Sequence, residues 1–360
     1  MRQPAHGGNL AWAAALAGCP PDAILDFSAS ISPLGPPNSA IAAIKSQIGN
    51  LKHYPDPNYS ELRLALSHFH QLPSEWILPG NGSAELLTLI GRELAQLAAT
   101  ILITPAFGDY YRTLAAYNAK VLECPLSLVI GHWSLVLSFV EVLVIDKGQR
   151  TKDKGLLLNN PHNPTGKLFS RESILPYLEQ FALVVVDEAF MDFVPPNEEQ
   201  SLIPVVQEYP NLVVLRSLTK FYSLPGLRLG YAIAHPDCLA KWQLWRDPWP
   251  VNTLAAAAAI AALQDTEFQQ QTWAWLPPAR NQLFQGLAEI PGLQPQASAA
   301  NFLLVESQES TSQLQQQLLK YHQILIRDCL TFKELGDRFF RVAVREESDN
   351  QRLLTALKES

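Results

Sequence analysis

The run Ser217-Leu218-Thr219-Lys220-Phe221-Tyr222-Ser223-Leu224-Pro225-Gly226-Leu227-Arg228-Leu229-Gly230-Tyr231 gathers hydroxyls, one amine and one guanidinium just beyond an apolar segment. A lysine amine can condense with an aldehyde, give that partner up to another amine, and then act as the local acid or base. An arginine offers a planar fork for phosphate or carboxylate and keeps its charge at neutral pH. Lys220 and Arg228 are thus candidates for covalent chemistry and anion binding. A Ser-x-x-Lys spacing alone is met equally by a surface lysine beside a turn, so the weight rests on what other segments add.

Gly80-Asn81-Gly82-Ser83-Ala84-Glu85 precedes an apolar helical pattern. The free amides of Gly82 and Ser83 at a helix start can cradle phosphate, although Gly-Asn-Gly by itself is more often a turn. Val184-Val185-Val186-Asp187-Glu188-Ala189-Phe190 sets an acid at the end of a fully apolar strand. An unpaired carboxylate is costly there, so Asp187 needs a cationic partner unless it caps the next helix. Asn163-Pro164-Thr165-Gly166 reads alone as a Pro-bounded loop, and Phe107, in Pro105-Ala106-Phe107-Gly108, reads alone as core. Arg327, after Ile324-Leu325-Ile326, and Arg345, after Val342-Ala343-Val344, stand at expected strand ends and could bind anions. Arg341 shares strand parity with Arg345, so alternation does not exclude it.

Positioning these groups requires a scaffold with loops gathered at one edge. Short aliphatic runs at Thr100–Thr104, Gly155–Leu158, Leu183–Asp187 and Leu212–Ser217 read as buried parallel strands. Helical lengths, Ser83–Ala98 and Ser170–Phe181, lie between them, so the alternation predicts a doubly wound α/β sheet with functional loops at the strands' carboxyl ends. Asn252–Gln264, rich in alanine after a Pro-Trp-Pro turn, predicts a closely packed helix leading out of this unit. Strand-like Asn301–Val305 and Phe339–Val344, with helical Ser312–Tyr321 between them, predict a smaller α+β domain against which the N-terminal arm packs. The expected division is 46–264 for the large domain, and 1–45 with 265–360 for the small one.

The 360 residues, 48% hydrophobic, suffice for such a two-domain core. A net charge of -7 gives no electrostatic reason for a nucleic-acid partner. Cys19, Cys124, Cys238 and Cys329 are scattered and lack CxxC spacing, which fits a reducing compartment. Leu16-Ala17-Gly18-Cys19 looks like a lipoprotein cleavage site, but Arg2 alone supplies positive charge and the apolar run before it is short. No other stretch approaches a membrane span. The expected location is the cytoplasm.

Taken together, the Ser217–Tyr231 run, Gly80–Glu85, Asn163–Gly166 and Val184–Phe190 resemble the cofactor site of fold-type-I pyridoxal-phosphate enzymes, in the order that family uses. The resemblance implies an aspartate-aminotransferase-like large domain with a mostly parallel sheet. It implies that Lys220 holds pyridoxal 5'-phosphate as a Schiff base, and that Asp187 faces its protonated ring nitrogen. Gly82, Ser83, Ser217 and Arg228 would take its phosphate, Asn163 its phenolic oxygen, and Phe107 would stack on the ring. Tyr54, in His53-Tyr54-Pro55-Asp56, resembles a tyrosine that reaches a cofactor phosphate across a homodimer interface.

Within that family most of the chain resembles two groups, the histidinol-phosphate aminotransferases and the L-threonine O-3-phosphate decarboxylases of cobalamin biosynthesis. His6-Gly7-Gly8-Asn9, Leu25-Asp26-Phe27-Ser28-Ala29, Phe190 and Ile324-Leu325-Ile326-Arg327-Asp328-Cys329 favour the decarboxylases. That resemblance implies a small phosphorylated amino-acid substrate held by His6, Gly7, Ser30, Asn163, Arg327 and Arg345. Ser30 stands where those decarboxylases carry Asn, and its hydroxyl has the shorter reach. Transamination uses the same cofactor residues and is the alternative activity. A non-enzymatic ligand-sensing module is a third reading, for which the acidic chain lacks a DNA-binding region.

Overall fold

The computed structural model describes residues 7–126 and 151–360. In chain order the strands are β1 (Leu25–Asp26), β2 (Ile77–Asn81), β3 (Ala99–Thr104), β4 (Val121–Pro125), β5 (Lys154–Asn159), β6 (Leu183–Asp187), β7 (Leu212–Ser217), β8 (Leu229–Ala234), β9 (Leu293–Pro295), β10 (Phe302–Ser307), β11 (Ile324–Leu325), β12 (Arg327–Asp328) and β13 (Phe339–Ala343). Seven of them form one sheet in the order β2-β8-β7-β6-β5-β3-β4. The pairs β3–β4, β3–β5, β5–β6 and β6–β7 are parallel, and β8 alone runs against both of its neighbours.

The central strands are apolar along their whole length because both faces are covered. Leu156, Leu158, Val184, Val186, Leu212 and Val214 enter one core, and Leu157, Val185, Val213 and Leu215 enter the other. Helix Gly82–Leu94 covers the second face through buried Leu86, Leu87, Ile90 and Leu94, at helical spacing. Its first turn is closed by Glu85, whose Oε2 accepts the Asn81 N–H at 2.6 Å. Helix Thr253–Gln264 begins on Asn252, whose Oδ1 accepts the Ala255 N–H at 2.8 Å. Its buried Ala255, Ala258, Ala259 and Ala262 let helix Asn38–Gln47 approach closely.

A second, antiparallel sheet has the order β12-β13-β10-β9. Helices Thr266–Ala288 and Glu347–Glu359 pack on it through Leu276, Leu283, Leu353 and Leu357. The N-terminal segment joins this side: β1 pairs in parallel with β11. Helix Leu10–Ala17 buries Ala13 and Ala14 against Leu319 and Leu325, and ends on Gly18 in the left-handed region. Among the described residues no helix is long and apolar enough to cross a membrane.

Candidate active site

The carboxyl ends of β5, β6 and β7 open on one cleft, whose far wall comes from β12, β13 and the residues after β1. Asp187 ends β6 and Asn159, its register partner, ends β5. Asn159 Nδ2 donates to the Asp187 carbonyl at 2.6 Å, and Asn159 Oδ1 accepts the Asn163 N–H at 2.6 Å. The Pro-bounded loop is thereby fixed to the strand that carries the acid. Tyr110 Oη donates to Asp187 Oδ2 at 2.7 Å, and the Ala189 N–H donates to Oδ1 at 3.0 Å. Burial nevertheless pushes the Asp187 carboxyl above its ordinary pKa, against these hydrogen bonds and the nearby Lys220. A cation reaching Asp187 from the cleft would satisfy that charge.

Lys220 lies three residues beyond β7 and lines the same cleft. Burial first, then the Arg341 and Arg228 guanidinia, depress its ammonium pKa to about 8. A larger fraction of the amine is therefore unprotonated near neutral pH than in an ordinary lysine, as a nucleophile requires. Ser217 Oγ and Thr219 Oγ1 are hydrogen-bonded at 2.7 Å beside it. Ser83, Ser217 and Arg228 line the cleft where the helix Gly82–Leu94 begins. Gly82 has φ +71°, and a Cβ there would stand 2.6 Å from Arg228 Nη2. Gly230 allows the helix start to meet the sheet, since a Cβ on it would lie 2.7 Å from the Ser83 nitrogen. The helix start, two hydroxyls and a guanidinium are thereby brought together, groups that could bind an anion. Phe107 lines the cleft as well, edge-on to Tyr110 at 5.7 Å.

On the opposite wall Gly7, Ser30, Arg327 and Arg341 line the cleft. Ser30 is 1% exposed, and its Oγ has no hydrogen-bond partner among the described residues. Arg341 Nη1 donates to Asn163 Oδ1, and Nη2 to the Ser28 carbonyl at 3.1 Å. Burial, with Arg327 beside it, lowers the Arg341 pKa to about 10. Arg327 and Arg341 are register partners on β12 and β13, so two cations share this wall.

Arg345, expected to bind a substrate anion, is not among the residues that line the cleft. β13 ends at Ala343 and the chain turns toward the helix beginning at Glu347, so strand parity no longer applies at position 345. Arg345 Nε binds Asp349 at 2.8 Å and Nη1 reaches the Asp26 carbonyl at 3.3 Å, outside the cleft. Arg341, four residues earlier, lines the cleft instead. Tyr54 is also outside the cleft of its own chain, 79% exposed and stacked on Trp249 at 4.5 Å. His6 lies outside the described residues. Asn159, Tyr110 and Thr219 carried no assignment in the sequence reading. Asn159 could have been found as the polar end of an apolar strand, and Tyr110 as the first aromatic one helical turn beyond Phe107.

A doubly wound sheet with a half-buried lysine and a buried carboxylate at its carboxyl edge defines an enzyme of the aspartate-aminotransferase-like fold, type I. Residues 22–357 match the family described as aminotransferase class I and II, and the chain belongs to it. It is 40% identical to the threonine-phosphate decarboxylase of Salmonella typhimurium, over 98% of this chain and 96% of that protein. It is 33% identical to the histidinol-phosphate aminotransferase of Symbiobacterium thermophilum, over 91% of this chain and 88% of that one. The crystal structure of histidinol-phosphate aminotransferase from Sinorhizobium meliloti, in complex with pyridoxal-5'-phosphate, has the same fold. That match has a TM-score of 0.85 and 23% identity, over 98% of this chain and 94% of that one.

Proposed function

We propose that the chain is a pyridoxal-phosphate-dependent decarboxylase that converts L-threonine O-3-phosphate to (R)-1-aminopropan-2-ol phosphate, in cobalamin biosynthesis. Similarity to the Salmonella decarboxylase over nearly the full length supports the substrate and reaction. The observation that carries the reading is the pairing of Arg327 with Arg341 on one wall of a cleft whose other wall holds Lys220 and Asp187. Two guanidinia suit a substrate with two anionic groups, a carboxylate and a phosphate.

The residues present fit pyridoxal 5'-phosphate. Asp187 is a buried carboxylate that calls for a cation, Lys220 is an amine with a depressed pKa, and the Gly82–Arg228 cradle suits a phosphate. When bound, that group supplies an aldehyde and an electron-withdrawing ring that stabilises negative charge on the substrate's α-carbon. Gly82, Ser83, Ser217 and Arg228 would hold its phosphate, Asn163 its phenolic oxygen and Phe107 its ring face, while Asp187 would pair with the protonated ring nitrogen. Lys220 Nζ is the amine that would hold the group's aldehyde. The Lys220 amine is also placed to move a proton to or from the substrate's α-carbon. Arg341 holds the substrate carboxylate, and Arg327 the phosphate with Gly7, Ser30 and His6. Which α-bond breaks depends on how these contacts orient the substrate, so they choose between loss of CO2 and transamination.

A division at 46–264 and at 1–45 with 265–360 accords with the two sheets. Exposed Tyr54, with Ile48 53%, Leu51 59% and Leu244 86% exposed, supports a homodimer that covers these groups and brings Tyr54 to the partner's cofactor phosphate. The cytoplasm is the compartment that its four free thiols suit.

The test is a product assay of cofactor-loaded protein with L-threonine O-3-phosphate, run beside histidinol phosphate plus 2-oxoglutarate. CO2 stoichiometric with amine phosphate is the expected outcome. Glutamate without CO2 would replace the decarboxylase reading with transamination.

A further inference from the structure

Beyond β12 the chain makes a tight turn whose first side chain at the cleft mouth is Thr331. Its Oγ1 accepts a hydrogen bond from Arg327 Nη2 at 2.8 Å, and both residues line the cleft. The turn is fixed from beneath. Phe332 N–H donates to the Cys329 carbonyl at 2.9 Å, and Leu335 N–H to the Phe332 carbonyl at 3.0 Å. Phe332 and Leu335 are buried with Leu304, Cys329 and Phe339. Two residues past Thr331, Lys333 Nζ reaches Glu123 Oε1 of β4 at 2.8 Å, which ties the turn to the seven-stranded sheet. Thr331 is therefore carried on a held backbone, although its side chain is exposed.

A hydroxyl has one proton to give and two lone pairs to receive. Arg327 occupies a lone pair of Thr331, and a guanidinium can only donate, so the direction of that bond is set. The hydroxyl proton remains for another acceptor, and accepting from a cation strengthens the hydroxyl as a donor. The acceptor that suits this wall is an anion, because Arg327 and Arg341 face one another as like charges in adjacent strands. A phosphate, with three terminal oxygens, can accept from the guanidinium and the hydroxyl together.

We propose that Thr331 is a specificity-determining residue: its hydroxyl both fixes Arg327 and donates to the substrate's phosphate, so that the pair selects a phosphorylated over an unphosphorylated amino acid. The proposal deepens the decarboxylase reading and rests on it for the identity of the substrate.

The experiment uses the cofactor-loaded enzyme with T331V, which keeps the shape and lacks the hydroxyl, and T331S, which keeps the hydroxyl. KM and kcat are measured with L-threonine O-3-phosphate, and inorganic phosphate is titrated against the cofactor's absorbance to give a phosphate Kd. In T331V, both KM and the phosphate Kd should rise about tenfold, the effect of one lost hydrogen bond to a charged group, with kcat falling less than KM rises. T331S should return both values toward those of the unaltered enzyme. Unchanged values in T331V would overturn the proposal. So would a T331S as weak as T331V, which would make shape the determinant. Should the unaltered enzyme release no CO2 from this substrate, the decarboxylase reading fails by itself. The phosphate titration then still supports Thr331 if T331V alone is weakened, and overturns it if all three proteins bind alike.

Discussion

Arg341→Met and Arg345→Met separate the two arginines that strand alternation leaves equivalent. Arg341 is 8% exposed, and its Nη1 and Nη2 are anchored on Asn163 and Ser28 at the cleft wall. If it grips a substrate carboxylate through two N–H groups, each bond to a charged acceptor contributes about 1.5–3 kcal/mol. Their loss amounts to about 3 kcal/mol at the least, or roughly 10²-fold in kcat/KM. Stability should respond differently. Burial lowers the Arg341 pKa to about 10, a sign that the fold works against this cation, so Met at 341 should leave Tm close to that of the parent. The Arg345–Asp349 pair has side-chain exposures of 26% and 29%. Its loss should cost about 1 kcal/mol of stability or less and leave kcat/KM little changed. Steady-state CO2 release and thermal unfolding of the two variants are the measurements. An Arg345→Met enzyme as impaired in kcat/KM as Arg341→Met would refute the assignment, and so would an Arg341→Met enzyme of near-parental activity.

Gly82→Ala combines a left-handed backbone, φ +71°, with a Cβ that would meet Arg228 Nη2 at 2.6 Å. It should cost about 1–2 kcal/mol in backbone conformation and weaken pyridoxal-phosphate binding by displacing the guanidinium, as thermal unfolding and an absorbance titration of cofactor-free protein would report; wild-type values in both would count against the cradle. Lys220→Met tests the desolvated amine in cofactor-free protein, where the folded pKa is about 8 against an ordinary 10.5. The unfolded chain binds more protons between those values, so parental stability should rise with pH from about 8 to 10.5. Near pH 7 the full penalty, on the order of 3 kcal/mol, is present, and Lys220→Met should be the more stable protein there, with the gap closing toward pH 10.5; a urea-unfolding gap that stays constant with pH would refute it. Arg216→Met leaves buried Glu188 and half-buried Asp192 without their counter-charge, which should cost about 3–5 kcal/mol in urea unfolding; a loss below 1 kcal/mol would show that those carboxylates are already neutral.

The legibility of this site followed the distance between each residue and a regular element. Asp187, Lys220, Ser83 and Arg228 could be read because each stands at or just beyond a strand or helix whose apolar pattern is unambiguous, and the sheet then brings those ends together. β8 was harder to see as a strand. Its Leu229-Gly230-Tyr231 start belongs to the Lys220 motif, and its antiparallel direction depends on the turn around Pro225, which periodicity does not encode. The alanine-rich helix was legible from composition, yet what its small side chains permit, the close approach of Asn38–Gln47, is a property of the pair.

The second wall shows where pattern stops being informative. Period-two alternation assigns a face only while the strand lasts, and Arg341 and Arg345 have equal parity but lie on either side of its end. Ala343 still bonds to Phe27, Val344 to Asn301, and after them the chain is already turning into the helix whose Asp349 captures Arg345. The i,i+4 relation of Arg345 and Asp349 is itself visible in the sequence and offered a competing partner for that arginine. Arg341 has no acid in its own strand. Among the described residues its neighbours include the Arg327 cation, Asn163, the Ser28 carbonyl and the Phe302 ring, and Asp26 acts on its charge more weakly than burial and Arg327 do. A buried guanidinium whose surroundings contribute a second positive charge is poorly explained as a structural ion pair. An anionic ligand explains it, and the same argument makes Arg341 the first residue to alter.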